Sequence, residues 1–276
     1  MQVFIPSKGR AGIIGGATSR IFPDAPVIVH NDAEAALYQQ SNIPNPIIVS
    51  HEDMSQIGKS LQMRFVLNNF ITKGEWVCFA DDNLQAITAV DEAYYDGEQF
   101  PDDIAPALAS RLYNSPVGSE RLESVLAEMR SKAESVGANL CGFASTANYY
   151  FRRSKWLHVG WVIGQLCLIR KTELEIPIRH QDDTYITAEH LVRDGRVLIN
   201  RFVFPGSPHF ATGGHGTVAE RFIIRTREVR ELLDRYNGLF SIKNPPGMPK
   251  NQDVRLRLHT LAQIAKWREK LDSMGG

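Results

Sequence analysis

The run Trp76-Val77-Cys78-Phe79-Ala80-Asp81-Asp82-Asn83 constrains this chain most: five apolar residues lead straight into two acids and an amide. So short a continuous apolar run is the pattern of a strand buried on both faces, as in a parallel sheet covered by helices. The acids then lie at the carboxyl end of that strand, where open α/β sheets hold their ligands. Adjacent carboxylates repel, and something usually compensates them. A divalent cation such as Mg²⁺ or Mn²⁺ does so through oxygen ligands, often alongside phosphate oxygens. A metal–diphosphate site is one reading of this stretch. A helix cap is the other, since Asp and Asn are both favoured there.

The residues before it supply the rest of a sheet. Gln2 to Ile5, Ala25 to His30 and Pro46 to Ser50 read as strands. Asp32 to Ser41, capped by Asn31 or Asp32, reads as a helix, as does the stretch from Ile57 to about Thr72. Strand and helix thus alternate up to Asn83, which predicts a mostly parallel sheet with helices on both faces. The loop Pro6-Ser7-Lys8-Gly9-Arg10 then shares an edge of that sheet with Asp81 to Asn83. Its hydroxyl, two cations and glycine suit the phosphates and base of a nucleotide, although an ordinary turn with solvated charges has the same composition. His30, at the end of its strand, can pack on a base or be structural. Arg64 can reach a diphosphate or lie on solvated surface. Gly12-Ile13-Ile14-Gly15-Gly16 matches neither a Walker loop nor a dinucleotide fingerprint.

Beyond Asn83 the pattern changes. Residues 91 to 120 are acidic and turn-rich, and read as a loop with short helices over the site. Glu120 to Val136 is a helix whose stripe of Leu122, Val125, Leu126 and Met129 is a core face. Asn139 to Ala144, Val162 to Ile169 and Val197 to Phe204 read as further strands. Ala219 to Tyr236 is a basic amphipathic helix, Asn237 to Asp253 a linker and Val254 to Leu271 a last helix.

Three later stretches carry chemistry. Tyr149-Tyr150-Phe151-Arg152-Arg153-Ser154-Lys155-Trp156 sets aromatics beside cations, as a nucleobase surface needs; a hairpin with buried rings and wet cations would look the same. Asp182-Asp183 opens a helix, and either acid can serve as a general base or merely cap that helix. Pro208 to Gly216 holds His209, His215 and three glycines, which suits a backbone passing close to a ligand. Either histidine can complete a mixed carboxylate–imidazole shell for Mn²⁺.

Composition sets the remaining bounds. A 276-residue chain that is 43% hydrophobic can build one large α/β domain, or a domain with an appended lobe. Lys+Arg and Asp+Glu balance at 31 each, which gives nonspecific nucleic-acid binding no advantage but leaves room for local basic patches. Cys78, Cys141 and Cys167 sit in apolar contexts without a CxxC pair, as in a reduced cytosolic protein. Met1 to Ile5 reads as a strand rather than a charged leader, and no apolar run approaches the roughly 20 residues of a spanning helix. A cytoplasmic protein with no membrane partner is expected.

Together these features resemble a nucleotide-sugar glycosyltransferase of the GT-A type, over residues 1 to 220. In that family an N-terminal strand-loop binds the nucleotide and an Asp-x-Asp-like motif holds the metal. A later acidic motif supplies the base, and a late histidine completes the metal shell. The resemblance implies nucleotide-sugar binding by Pro6, Ser7, Lys8, Arg10, His30, Arg64, Asp81 and Asp82. It implies a metal, Mn²⁺ or Mg²⁺, on Asp82, Asn83 and His209 or His215, and a base at Asp182 or Asp183. The motif departs from strict Asp-x-Asp, because its third position is Asn83. More narrowly, Ile5-Pro6-Ser7-Lys8-Gly9-Arg10-Ala11 and Phe79-Ala80-Asp81-Asp82-Asn83 are similar to the TET/JBP-associated glycosyltransferases, found largely in bacteriophages. That likeness implies transfer of a sugar to 5-hydroxymethylpyrimidine, such as 5-hydroxymethylcytosine, in DNA, and a host-cytoplasmic location for a phage-encoded chain. Tyr149, Arg152, Arg153, Lys155 and Trp156 are the expected acceptor surface. Residues 221 to 276 would form a helical extension packed on the catalytic domain. Rival readings are transfer to a small molecule, protein or glycan; a nucleotidyltransferase; and a noncatalytic reader of modified DNA.

Overall fold

The structure, a computed structural model, describes residues 1–11, 18–51, 58–90, 114–147, 154–176, 182–207, 218–242, 254–256 and 260–274. The Gly-rich run 12–16, most of the acidic loop, Tyr149 to Arg153, and His209 with His215 lie outside the described residues. The chain begins β1 (Gln2–Pro6), α1 (Thr18–Ile21), β2 (Val27–Val29), α2 (Asp32–Gln40), β3 (Ile47–Val49), α3 (Gly58–Phe70) and β4 (Trp76–Ala80). It continues with β5 (Ala86–Val90), β6 (Asn114–Pro116), α4 (Ser119–Val136), β7 (Leu140–Phe143), β8 (Trp156–Leu157) and β9 (Leu166–Arg170). Then come α5 (Asp182–Asp194), β10 (Leu198–Asn200), β11 (Val203–Gly206), α6 (Val218–Arg235), β12 (Phe240–Ile242), β13 (Val254–Leu256) and α7 (Leu261–Met274).

Eight strands form the central sheet in the order β3-β2-β1-β4-β9-β7-β10-β8. The first four neighbours are parallel, β9 runs against both β4 and β7, and β8 runs against β10. The mostly parallel α/β sheet expected from the alternation is therefore present. Its core follows the period-2 geometry of strands. Val77 and Phe79 of β4, with Cys167 and Ile169 of β9, face one helical layer. Trp76, Cys78 and Ala80, with Leu166 and Leu168, face the other. α3 supplies Met63, Val66 and Leu67 to the first side, and α4 supplies Leu122, Leu126 and Met129 to the second. The α4 stripe is thus the core face that its sequence predicts.

Four segments differ from the sequence expectation. Val162 is no strand residue: it packs where a Cβ on Gly142 would meet its Cγ1 at 2.8 Å, and its N–H donates to Thr187 Oγ1 at 3.2 Å. β9 starts only at Leu166. The stretch Val197 to Phe204 is not one strand, because Asn200 Oδ1 accepts the Phe202 N–H at 2.9 Å and turns the chain. β10 stays in the central sheet, while β11 joins β5 and β6 in a separate three-stranded antiparallel sheet. The C-terminal linker contains β12, which pairs with β13, so Val254 to Leu256 is strand rather than helix and α7 starts at Leu261. The sequence reading did not find β5 or β6. Tyr236, Leu239, Phe240, Ile264 and Trp267 join the first side of the core, with Phe240 stacked on Trp161 at 5.2 Å. Among the described residues, no helix is long and apolar enough to cross a membrane.

Candidate functional site

At the carboxyl edge of β1, β2 and β4 the chain gathers a polar network. Successive side chains leave a strand end on opposite sides, and Asp81 and Asp82 do so here. Asp82, 5% exposed, takes Ser7 Oγ at 2.5 Å on one carboxylate oxygen and the Arg10 guanidinium on the other. Asp81 takes the Lys59 ammonium. The compensation that two adjacent acids need is thus supplied, in this structure, by one cation each. Burial raises the Asp82 carboxyl above the usual carboxylate range, while Arg10 and Ser7 pull the other way.

The loop after β1 is held from α2. Ser7 has one proton, which goes to Asp82, so the Tyr38 hydroxyl, 2.5 Å away, is the donor to Ser7 Oγ. Tyr38 accepts in turn from the Arg10 N–H at 3.1 Å, and burial pushes its phenol pKa up. Glu34, one helical turn earlier, accepts the Gly9 N–H and also binds His30 Nδ1. The Asn31 side chain caps α2 by accepting the Glu34 N–H at 2.8 Å. Gly9 has φ +65, a left-handed conformation that glycine adopts at little cost. Gln62 of α3 fixes the strand ends by donating to the carbonyls of Ser7 and Ile28, each at 2.7 Å.

A second acid pair lies across α3. Asp182 and Asp183, both half-buried at the start of α5, line a tight pocket with Lys59, Gly164 and Cys167. The space inside is about 10 Å³, room for about one water. Burial pushes the Asp182 carboxyl up to about 7; Lys59 opposes that shift and Asp183 adds to it. Asp183 is likewise raised by burial, against the pull of the Thr184 N–H and Lys59. Burial also lifts the Cys167 thiol to about 12, so this cysteine is inert.

The expected residues divide as follows. Pro6, Ser7, Lys8, Arg10, His30, Asp81 and Asp82 share one edge, with Ser7, Arg10 and Asp82 in direct contact. Asp182 and Asp183 approach that edge through Lys59. Arg64 does not reach it: with Arg170 and Lys171 it lines a separate pocket toward the opposite end of the strands. Lys155 is engaged in an ion pair with Glu128 at 2.7 Å and lies 5.6 Å from the Trp156 ring centroid, while Trp156 packs on the core. Lys155 is therefore not a wet cation, and Trp156 is partly buried. Tyr149, Arg152, Arg153, His209 and His215 lie outside the described residues.

Sequence reading missed Lys59, Glu34 and Tyr38. A signal for the first exists, since a lysine in the first turn of a helix opposes the helix dipole and is out of place there unless an acid holds it. For the other two the signal is one helix face: Glu34 and Tyr38, four residues apart, are both buried on α2. Hard oxygen donors suit Mg²⁺ or Mn²⁺, and Asn83 Oδ1, buried beside Asp82 without a hydrogen-bond partner, fits such an ion. Among the described residues, no three His, Cys, Asp or Glu side chains converge into a metal cage.

No family model and no curated protein matches this chain.

Proposed function

We propose that this chain transfers a sugar from a nucleoside-diphosphate sugar to a hydroxyl acceptor, and that the acceptor is a 5-hydroxymethylpyrimidine in DNA. The single observation that carries the reading is the joining of the two diagnostic stretches. Ser7 and Arg10 of the first loop are bound to Asp82 at the end of the buried strand. A hydroxyl and a guanidinium gathered on one acid form a polar edge suited to a nucleotide. Asp82 and Asn83 would hold Mn²⁺ or Mg²⁺, which supplies Lewis-acid stabilisation of a departing diphosphate. Ser7 and Arg10 orient the donor, and the Tyr38 and Glu34 contacts keep their loop in place. Asp182 or Asp183 accepts the proton of the attacking hydroxyl; a group titrating near 7 suits that task. A base held in duplex DNA must first leave the stack. The choice of DNA as acceptor rests on the family resemblance alone.

The test is release of nucleoside diphosphate from a panel of nucleotide sugars with Mn²⁺, with and without hydroxymethylcytosine DNA. DNA-stimulated release that falls by about 10²-fold or more in Asp82→Ala is the expected result. Hydrolysis indifferent to DNA moves the acceptor to a small molecule, protein or glycan. Release of pyrophosphate identifies a nucleotidyltransferase. DNA binding without release from any donor leaves a reader.

A further inference from the structure

Lys59 stands between the two halves of the site. Its ammonium is bound to Asp81 and to the Gly164 carbonyl, and it forms a wall of the pocket that Asp182 and Asp183 line. The chain is shaped around it. Gly164 passes so close that a Cβ there would sit 3.0 Å from Lys59 Nζ and 3.8 Å from the Asp183 Cβ. Burial works against the ammonium, but Asp81 and Asp182 outweigh it and hold the lysine charged. Among the described residues, the groups facing Asp182 are Lys59 from α3, Asp81 from the end of β4, Cys167 from β9 and Asp183 from α5 itself. Lys59 is the only cation among them. Two neighbouring buried carboxylates resist double ionisation unless a cation is held beside them, and a general base accepts a proton only when it is ionised.

We propose that Lys59 is a positioning residue: fixed on Asp81 and Gly164, its ammonium is the counter-ion that favours the anionic form of the Asp182–Asp183 pair and links that pair to the acid strand. The role in catalysis rests on the glycosyltransferase reading; the counter-ion role does not. Lys59 touches no reacting atom in this scheme. It sets the charge state of the acids that would.

The experiment reads protonation directly, without turnover. The infrared carbonyl band of protonated carboxyl groups is followed from pH 5 to 9 in the full chain, with Asp182→Asn/Asp183→Asn as the control that identifies the pair. In Lys59→Met the band should persist at least about one pH unit higher than in wild type, a tenfold change in the protonation equilibrium. Lys59→Arg should restore most of the difference. Gly164→Ala, whose Cβ crowds the ammonium by a few tenths of an ångström while keeping every charge, should move the band in the same direction by less. It also serves as the test if Lys59→Met fails to fold. A band that titrates at the wild-type pH in Lys59→Met, or in Gly164→Ala when only that variant folds, overturns the proposal. An activity arm separates the two readings. If no donor is turned over by wild type, the transferase fails, and the infrared shift still judges Lys59. If transfer occurs, the acid limb of kcat should move with the band, whereas a purely structural lysine would lower kcat equally at all pH.

Discussion

Replacing Asp182 and Asp183 together by asparagine should lower sugar transfer by about 10²–10⁴-fold, the usual contribution of a positioned general base. Nucleoside-diphosphate binding should persist, because Ser7, Arg10 and Asp82 are bound to one another and not to α5. In wild type, kcat should rise as pH passes upward through about 7, where the Asp182 carboxyl gives up its proton. Stability should move the opposite way. A carboxyl raised by burial contributes its stability below its ordinary value of 3.8, and that contribution is lost as pH rises through about 7. The double variant should therefore hold its Tm across this range while wild type declines. Single-turnover rates and Tm across pH check both halves. Unimpaired transfer above pH 7 in the double variant would remove the acid pair from the chemistry.

Truncating Phe79 to alanine should cost about 3–5 kcal/mol, the range for emptying a buried aromatic site. Phe79 is fully buried at the centre of the sheet, paired in register with Phe4 on one side and Cys167 on the other. Both neighbouring strands are held by their own ladders, so the cavity has little room to collapse. A fall in the urea midpoint with an unchanged slope is the expected record. A loss under about 1 kcal/mol, below the cost of even a modest core deletion, would mean that this strand is not packed as described.

Much of the sheet was legible in the sequence because its first half is regular. Each apolar run from Val27 to Ala80 is short and bounded, and the first intervening helix is marked by its Asn31 cap. The edge shared by Ser7 and Asp82 followed from that alternation alone. Legibility failed where tertiary pairing overrides local pattern. In Val197 to Phe204 the polar pair Asn200-Arg201 is the turn signal, overlooked because apolar residues flank it on both sides. β5 is paired with β11, far along the chain. The site's acids were readable as types, but their partners were not. That Asp81 would meet Lys59, and Asp82 would meet Arg10, depends on two adjacent side chains leaving a strand end in opposite directions. Arg64 was misjudged for a related reason: five residues beyond Lys59 on α3, it lines a different pocket nearer the far end of the sheet.

The two sides of the sheet close at different points along the chain. Among the described residues, the side covered by α2 and α4 uses nothing beyond Val203. The side covered by α3 and α5 also draws on Leu232, Tyr236, Phe240, Ile264 and Trp267. A chain leaving the ribosome can thus seal one side while the other waits for its last helix. A polypeptide ended after Ser207 should accordingly bind an apolar dye that the full chain excludes. Asp81 and Asp82 are made well before that last helix, yet the strand that carries them is clamped on both sides only once the helix has arrived.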